Sequence, residues 1–136
     1  KTPEVRETMA WCHGAGGILL SRLKSYPYLT GTLKEEVAKD IHRAAQKAAV
    51  GHIRKDFCLC HGNFGNRWIR DAYRLFSGET GTEKPVSDLL IEKIREHGLE
   101  AEESRRYSLM HGLAGIGYGL LREMDPSLPD ILAVEV

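Results

Sequence analysis

The chain has 136 residues, which fits one domain, and its 19 basic and 19 acidic side chains cancel to a formal charge of zero. Hydrophobic residues make up 42% and charged residues 28%, as in ordinary soluble globular proteins, and the interleaved charges leave no basic footprint for nucleic acid. No apolar run approaches the roughly 20 residues needed to span a bilayer, so no transmembrane segment is expected. The start carries no signal-peptide pattern, and the expected compartment is the cytoplasm.

In chain order, residues 1–10 are polar and weakly periodic. From Gly16, residues Ile18, Leu19, Leu20 and Leu23 give a wide apolar helical face that Pro27 stops. Thr32 and Glu35 match a capping box, which would satisfy two backbone donors at a helix start. Beyond them Leu33, Val37, Ile41, Ala44, Ala45, Ala48 and Ala49 recur at helical spacing to about Ile53, with Lys34, Glu36, Lys39, Arg43 and Lys47 opposite. That pattern predicts an amphipathic outer helix.

Residues 54–61 read as a connection, followed by an inner helix with Phe64, Trp68, Ile69, Ala72, Tyr73, Leu75 and Phe76 as its apolar content. A polar loop runs from Ser77 to Pro85. A second outer helix is expected from about Val86 to His97, with Gly98 at its C-terminal capping position. Leu99 to Ser108 is a charged connection in which Arg106-Tyr107-Ser108 reads as a short extended piece. A third inner helix covers roughly Gly112 to Glu123, and the apolar tail Ile131-Leu132-Ala133-Val134 should dock.

Three stretches share His-Gly-x-x-Gly: Cys12-His13-Gly14-Ala15-Gly16-Gly17, Cys60-His61-Gly62-Asn63-Phe64-Gly65 and Met110-His111-Gly112-Leu113-Ala114-Gly115. Their histidines stand at 13, 61 and 111, spacings of 48 and 50 residues. Self-similarity at that period, with two helices per unit, predicts an all-α fold: a helical solenoid or a closed α/α ring. No capping unit precedes Trp11, so the chain reads as a fragment of something longer.

Cys12, Cys58 and Cys60 are odd in number and lack a secretory context, which favours metal ligation or catalysis over a disulfide framework. Equivalent positions of stacked repeats are neighbours, so Cys12 should meet Cys60 and its attached His61. Two thiolates and an imidazole suit Zn²⁺ with one coordination position open, the catalytic pattern; the bland alternative is a pair of buried core cysteines. Each cysteine precedes a helix N-terminus, whose partial positive charge should lower its pKa. Were residues 58–60 extended, Cys58 would point the same way as Cys60 and could complete a structural site; otherwise it packs as a small hydrophobe or supports the ligands. His13 could ligate, donate a proton, or hydrogen-bond the adjacent connection. His111 reads as a structural histidine at a helix start, and His42, His52 and His97 as surface residues. The motif glycines lack a phosphate-loop pattern and read as sites of close backbone packing.

Trp11-Cys12-His13-Gly14-Ala15-Gly16-Gly17-Ile18-Leu19-Leu20-Ser21-Arg22, then Leu59-Cys60-His61-Gly62-Asn63-Phe64-Gly65-Asn66, resembles the end of a lanthionine synthetase cyclase (LanC-like) domain. The resemblance is strongest to the C-terminal domain of the bifunctional class II lanthipeptide synthetases and takes in residues 1–136, including Ser108 to Gly115. It implies a segment of an α/α toroid with Cys12, Cys60 and His61 as zinc ligands. It also implies an activity: a precursor-peptide cysteine is deprotonated and adds to dehydroalanine or dehydrobutyrine, forming the thioether rings of lantibiotic biosynthesis. The implied partners are the precursor peptide, the remaining repeats of the ring and a dehydratase domain.

The chain departs from the family in places. It has room for about two and a half of the ring's seven double-helical units, and the family's usual acid histidine belongs to an earlier repeat. Thr8 stands where some relatives have arginine, Gly16 where relatives often have proline, and Cys58 where they often have a smaller polar residue. The expected readings are therefore a cyclase whose other half lies elsewhere, a zinc-stabilised scaffold without turnover, or a cyclase-like protein acting on another thiol such as glutathione. The segment alone is expected not to cyclise a peptide and to self-associate through exposed helix faces.

Overall fold

The computed structural model describes residues 10–49, 56–81, 83–98 and 106–133, with the side chains of residues 48, 49 and 97 left aside. Among the described residues there are five α-helices and no strand: α1 (Ala15–Ser25), α2 (Gly31–Ala49), α3 (Asn63–Ser77), α4 (Val86–His97) and α5 (Leu113–Met124). Two 3-10 turns, Tyr26–Tyr28 and Ile131–Ala133, follow α1 and α5.

Helices α1, α3 and α5 lie side by side in one row, because α3 packs against both α1 and α5. Helix α2 covers α1 and α3, and α4 covers α3 and α5. The sequence of inner and outer helices is thus as the repeat spacing predicts, and the two-layer arrangement is consistent with a segment of an α/α toroid. Between the layers sit Leu19, Leu20 and Leu23 of α1, Val37 and Ile41 of α2, Phe64, Trp68 and Ile69 of α3, and Val86 and Leu90 of α4. Each such side chain contributes about 1.5–3 kcal/mol by leaving water. Leu132 of the final turn joins this core, and its carbonyl accepts the Trp11 indole N–H at 3.0 Å, so the tail docks as expected.

Helix ends follow local chemistry. Pro27 has no N–H to extend α1 and sits in the 3-10 turn that closes it. Gly78 ends α3 in the left-handed region (φ 71°), and its N–H reaches Arg74 O at 2.9 Å. Helix α4 begins after Pro85 without a side-chain cap of its own. Its first amides are instead held by α5: Glu123 accepts the Val86 N–H at 2.6 Å and the Ser87 N–H at 3.0 Å. A carboxylate at a helix N-terminus satisfies orphan donors and opposes the positive end of the helix dipole.

Several expectations need correction. Helix α2 starts at Gly31, whose φ of 60° is open to glycine, so Thr32 lies inside the first turn and the Thr32–Glu35 box is not the cap. Leu33 (59% exposed) and Leu75 (87%) face outward although both belong to apolar patterns. Arg106 and Tyr107 form a turn, because the N–H of Leu113 folds back to Arg106 O at 2.8 Å. The expected helix up to Ile53, the polar N-terminal stretch over residues 1–9, and Val134 fall outside the described residues.

Candidate metal centre

The loops before α1, α3 and α5 are fastened to one another by their backbones. Trp11 N–H bonds Cys60 O at 2.9 Å, and Cys60 N–H bonds Met110 O at 3.0 Å. One residue of each motif is thereby locked beside the next. The glycines make this possible. A Cβ at Gly17, Gly65 or Gly115 would overlap the carbonyl group of Trp11, Leu59 or Leu109 respectively. In each repeat the carbonyl two residues before the motif histidine rests on the first turn of the helix, where only hydrogen fits.

This stacking brings Cys12, Cys60 and His61 together, with one ligand atom from each lying within 4.8 Å of the others. Cys60 is buried, His61 half-buried and Cys12 exposed, so the group opens to solvent on the Cys12 side. His13, the neighbour of Cys12, turns its Nδ1 to the Cys12 sulfur at 2.9 Å. It touches a candidate ligand. His111 is exposed, and its ring centroid stands 5.5 Å from that of His61. His111 stands at the entry to α5, and its position beside His61 follows the 50-residue spacing between the two. Among the surface histidines, His42 is exposed on α2, while His52 and the side chain of His97 fall outside the described residues.

Cys58 does not join Cys12 and Cys60. Residues 59–61 form a turn, so the extended premise fails, and Cys58 falls in a different group from Cys12 and Cys60. The Cys58 sulfur lies 3.3 Å from Asp56 Oδ2, the same oxygen that sits 2.9 Å from His61 Nε2. Asp56, Cys58 and His61 also place ligand atoms within 4.8 Å of one another. Asp56 went unnoticed in the sequence because a lone aspartate in a connection carries no spacing signal.

The helix N-terminus after Cys60 does not lower that thiol's pKa as expected. Burial pushes Cys60 up to about 12, aided by the adjacent sulfurs of Cys12 and Cys58. Burial also pushes Cys58 up to about 11, against the backbone amides of His61 and Gly62, with the Asp56 charge adding to the rise. Desolvation of a thiolate therefore outweighs the amides, and both thiols are neutral near pH 7. A cation held there would supply a compensating positive charge, since metal ligation requires and stabilises the deprotonated form.

The lanthionine synthetase C-like protein family model matches residues 2–136. The chain belongs to that family. A curated relative, the lacticin 481/lactococcin biosynthesis protein LcnDR2 of Lactococcus lactis subsp. lactis, is 29% identical over 133 aligned residues. The match takes in 84% of this chain and 14% of the relative, so the chain spans about a seventh of that protein's length. The described residues form helices and turns without a strand, and none of the described helices is long and apolar enough to cross a membrane. A cleft of about 320 Å³ lined by Leu19, Ala45, Arg70, Tyr73, Arg74 and Glu83, among others, shares no residue with the Cys–His group.

Proposed function

We propose that this chain is the C-terminal, metal-bearing part of a zinc-dependent lanthionine cyclase. The observation that carries the reading is the convergence of Cys12, Cys60 and His61 from two repeats onto one partly open point. Soft thiolates with an imidazole suit Zn²⁺, and three protein ligands with an open side suit a catalytic rather than a closed structural site. Bound zinc supplies the positive charge that draws the proton from a cysteine thiol of a precursor peptide at neutral pH.

The chain's own residues would then do three things. Cys12, Cys60 and His61 hold the ion. The exposed Cys12 side admits the peptide. His13, beside Cys12, and His111, beside His61, would carry the proton. In the reaction, the cysteine sulfur bonds the β-carbon of dehydroalanine or dehydrobutyrine and the carbon–carbon π bond breaks. The α-carbon then takes up one proton, so thiol plus alkene gives thioether with no oxidant or reductant. The name of the Lactococcus relative, a lacticin biosynthesis protein, supports a lanthipeptide precursor as substrate. The other repeats of an α/α ring and a dehydratase domain would complete the enzyme, acting in the cytoplasm where thiols stay reduced.

The test combines metal content with thiol consumption in the full-length protein. Freshly purified protein should hold about one zinc per chain, falling to background in Cys60→Ala. With a dehydrated lanthipeptide precursor, mass spectrometry after thiol trapping should show rings formed by the wild type and free thiols left by Cys60→Ala. Protein without metal would sink the zinc reading. Metal-loaded protein that consumes glutathione but closes no ring would shift the substrate to a small thiol.

A further inference from the structure

Behind the candidate ligands lies a carboxylate held from three directions. Asp56 Oδ1 accepts the Cys58 backbone N–H at 2.8 Å, and Asp56 Oδ2 accepts the Cys58 S–H at 3.3 Å. The same Oδ2 lies 2.9 Å from His61 Nε2. Cys58 is 1% exposed, and its sulfur in turn meets the backbone amides of His61 and Gly62. Asp56 thus has both oxygens engaged by a buried, locally braced residue, and one of them faces the imidazole.

We propose that Asp56 is a positioning residue for His61, with Cys58 as the buttress that fixes the Asp56 carboxylate. This rests on the zinc reading above. A neutral imidazole has one N–H and one lone pair. With a carboxylate against Nε2, the proton belongs on Nε2, and Nδ1 is the nitrogen left for a cation on the Cys12–Cys60 side. A carboxylate behind a ligating histidine fixes the ring's orientation and increases its basicity as a ligand. The arrangement also accounts for the second Cys–His–carboxylate cluster: its short separations are hydrogen bonds. His61 Nε2 cannot donate a proton to Asp56 and bind a metal at the same time. Cys58, with no place among the ligands, gains a role from its burial and from its sulfur lying 3.3 Å from Asp56 Oδ2.

The experiment uses the full-length protein with three variants, Asp56→Ala, Asp56→Glu and Cys58→Ser. Zinc affinity is measured by competition with a chromophoric chelator, and the ¹⁵N shifts of the His61 ring are read in the metal-free protein. Asp56→Ala should weaken zinc binding about 10–100-fold and move His61 from the Nε2–H tautomer to a mixture. Asp56→Glu should recover part of both effects, and Cys58→Ser, which still offers a donor, should change them least. Melting of the metal-free proteins serves as the control for folding. If Asp56→Ala does not fold, Asp56→Asn, with the shape kept and the charge removed, should show the same loss in smaller degree. Unchanged affinity together with a retained Nε2–H tautomer in the folded variant overturns the positioning role while leaving the zinc reading intact. A wild-type protein that takes up no zinc overturns both.

Discussion

In residues 56–62 and 106–112 the chain closes the same loop twice. Asn63 N–H returns to Asp56 O at 2.9 Å, and Leu113 N–H returns to Arg106 O at 2.8 Å. Leu59 O lies on Gly65 as Leu109 O lies on Gly115. Position by position the side chains then part company: Cys60 against Met110, Cys58 against Ser108, Asp56 against Arg106. In the third loop Ser108 Oγ accepts the His111 backbone N–H at 3.3 Å, and the residue in Asp56's place is a cation lying over Tyr107. His111 therefore has neither a thiol before it nor a carboxylate in Asp56's position. The backbone plan belongs to the repeat, whereas the chemistry belongs to single side chains laid on it.

The largest expected effect comes from breaking that common plan. Gly65→Ala pushes a methyl group into Leu59 O, and backbone on both sides has to move, so a loss of about 2–3 kcal/mol is expected in denaturant unfolding. Its foil is Gly117→Ala, where nothing lies within 4 Å of the added Cβ; a helix interior should gain about 0.5–1 kcal/mol there. A loss at Gly117, or none at Gly65, would show that the carbonyl contact is not what selects glycine in the motif.

A smaller effect tests how the third loop's helix is tied to the rest. Glu123 of α5 caps α4 across the interface, so Glu123→Ala should cost about 1–2 kcal/mol, in the range of a lost N-cap. Urea midpoints within error of wild type would mean that water replaces the carboxylate.

The smallest effect lies in the connection between α3 and α4, at Glu83. Glu83 is partly buried, which raises its pKa, yet Arg70, Arg74 and Arg67 around it bring the carboxyl below its ordinary value. Arg74 Nη2 reaches it at 2.6 Å and Arg70 Nη2 at 3.1 Å. A depressed pKa in the folded state means that the unfolded chain binds the proton more readily. This part of the stability is full above about pH 4.5 and is lost as pH falls through the folded value. Glu83→Gln should cost about 1 kcal/mol at pH 7, discounted for partial exposure, and the gap to wild type should close on acidification. A gap that stays constant from pH 7 to pH 3 would assign the effect to packing.

The sequence was most legible where a residue type repeats. Periodic leucine and isoleucine, together with Gly98 at a left-handed end, marked the helices, and the His-Gly spacing marked their stacking. Leu33 and Leu75 misled because helical periodicity does not say where a neighbouring helix ends. Thr32 misled because glycine at position 31 could start the helix one residue sooner. Asp56 and Glu123 gave no local pattern at all, since their partners are set by how loops and helices meet.

By itself the sequence determined an all-helical repeat and paired Cys12 with Cys60 and His61, because equivalent positions of stacked units must be neighbours. Tertiary structure decided which thiol stands apart. With a turn at 59–61, the Cys58 sulfur meets Asp56 and stays out of the Cys12–Cys60–His61 group, and burial raises the pKa of both Cys58 and Cys60 despite the helix ends beside them. Spacing carries information about register along the chain. The direction of a side chain, and the solvent it loses, exist only once three loops have closed against one another.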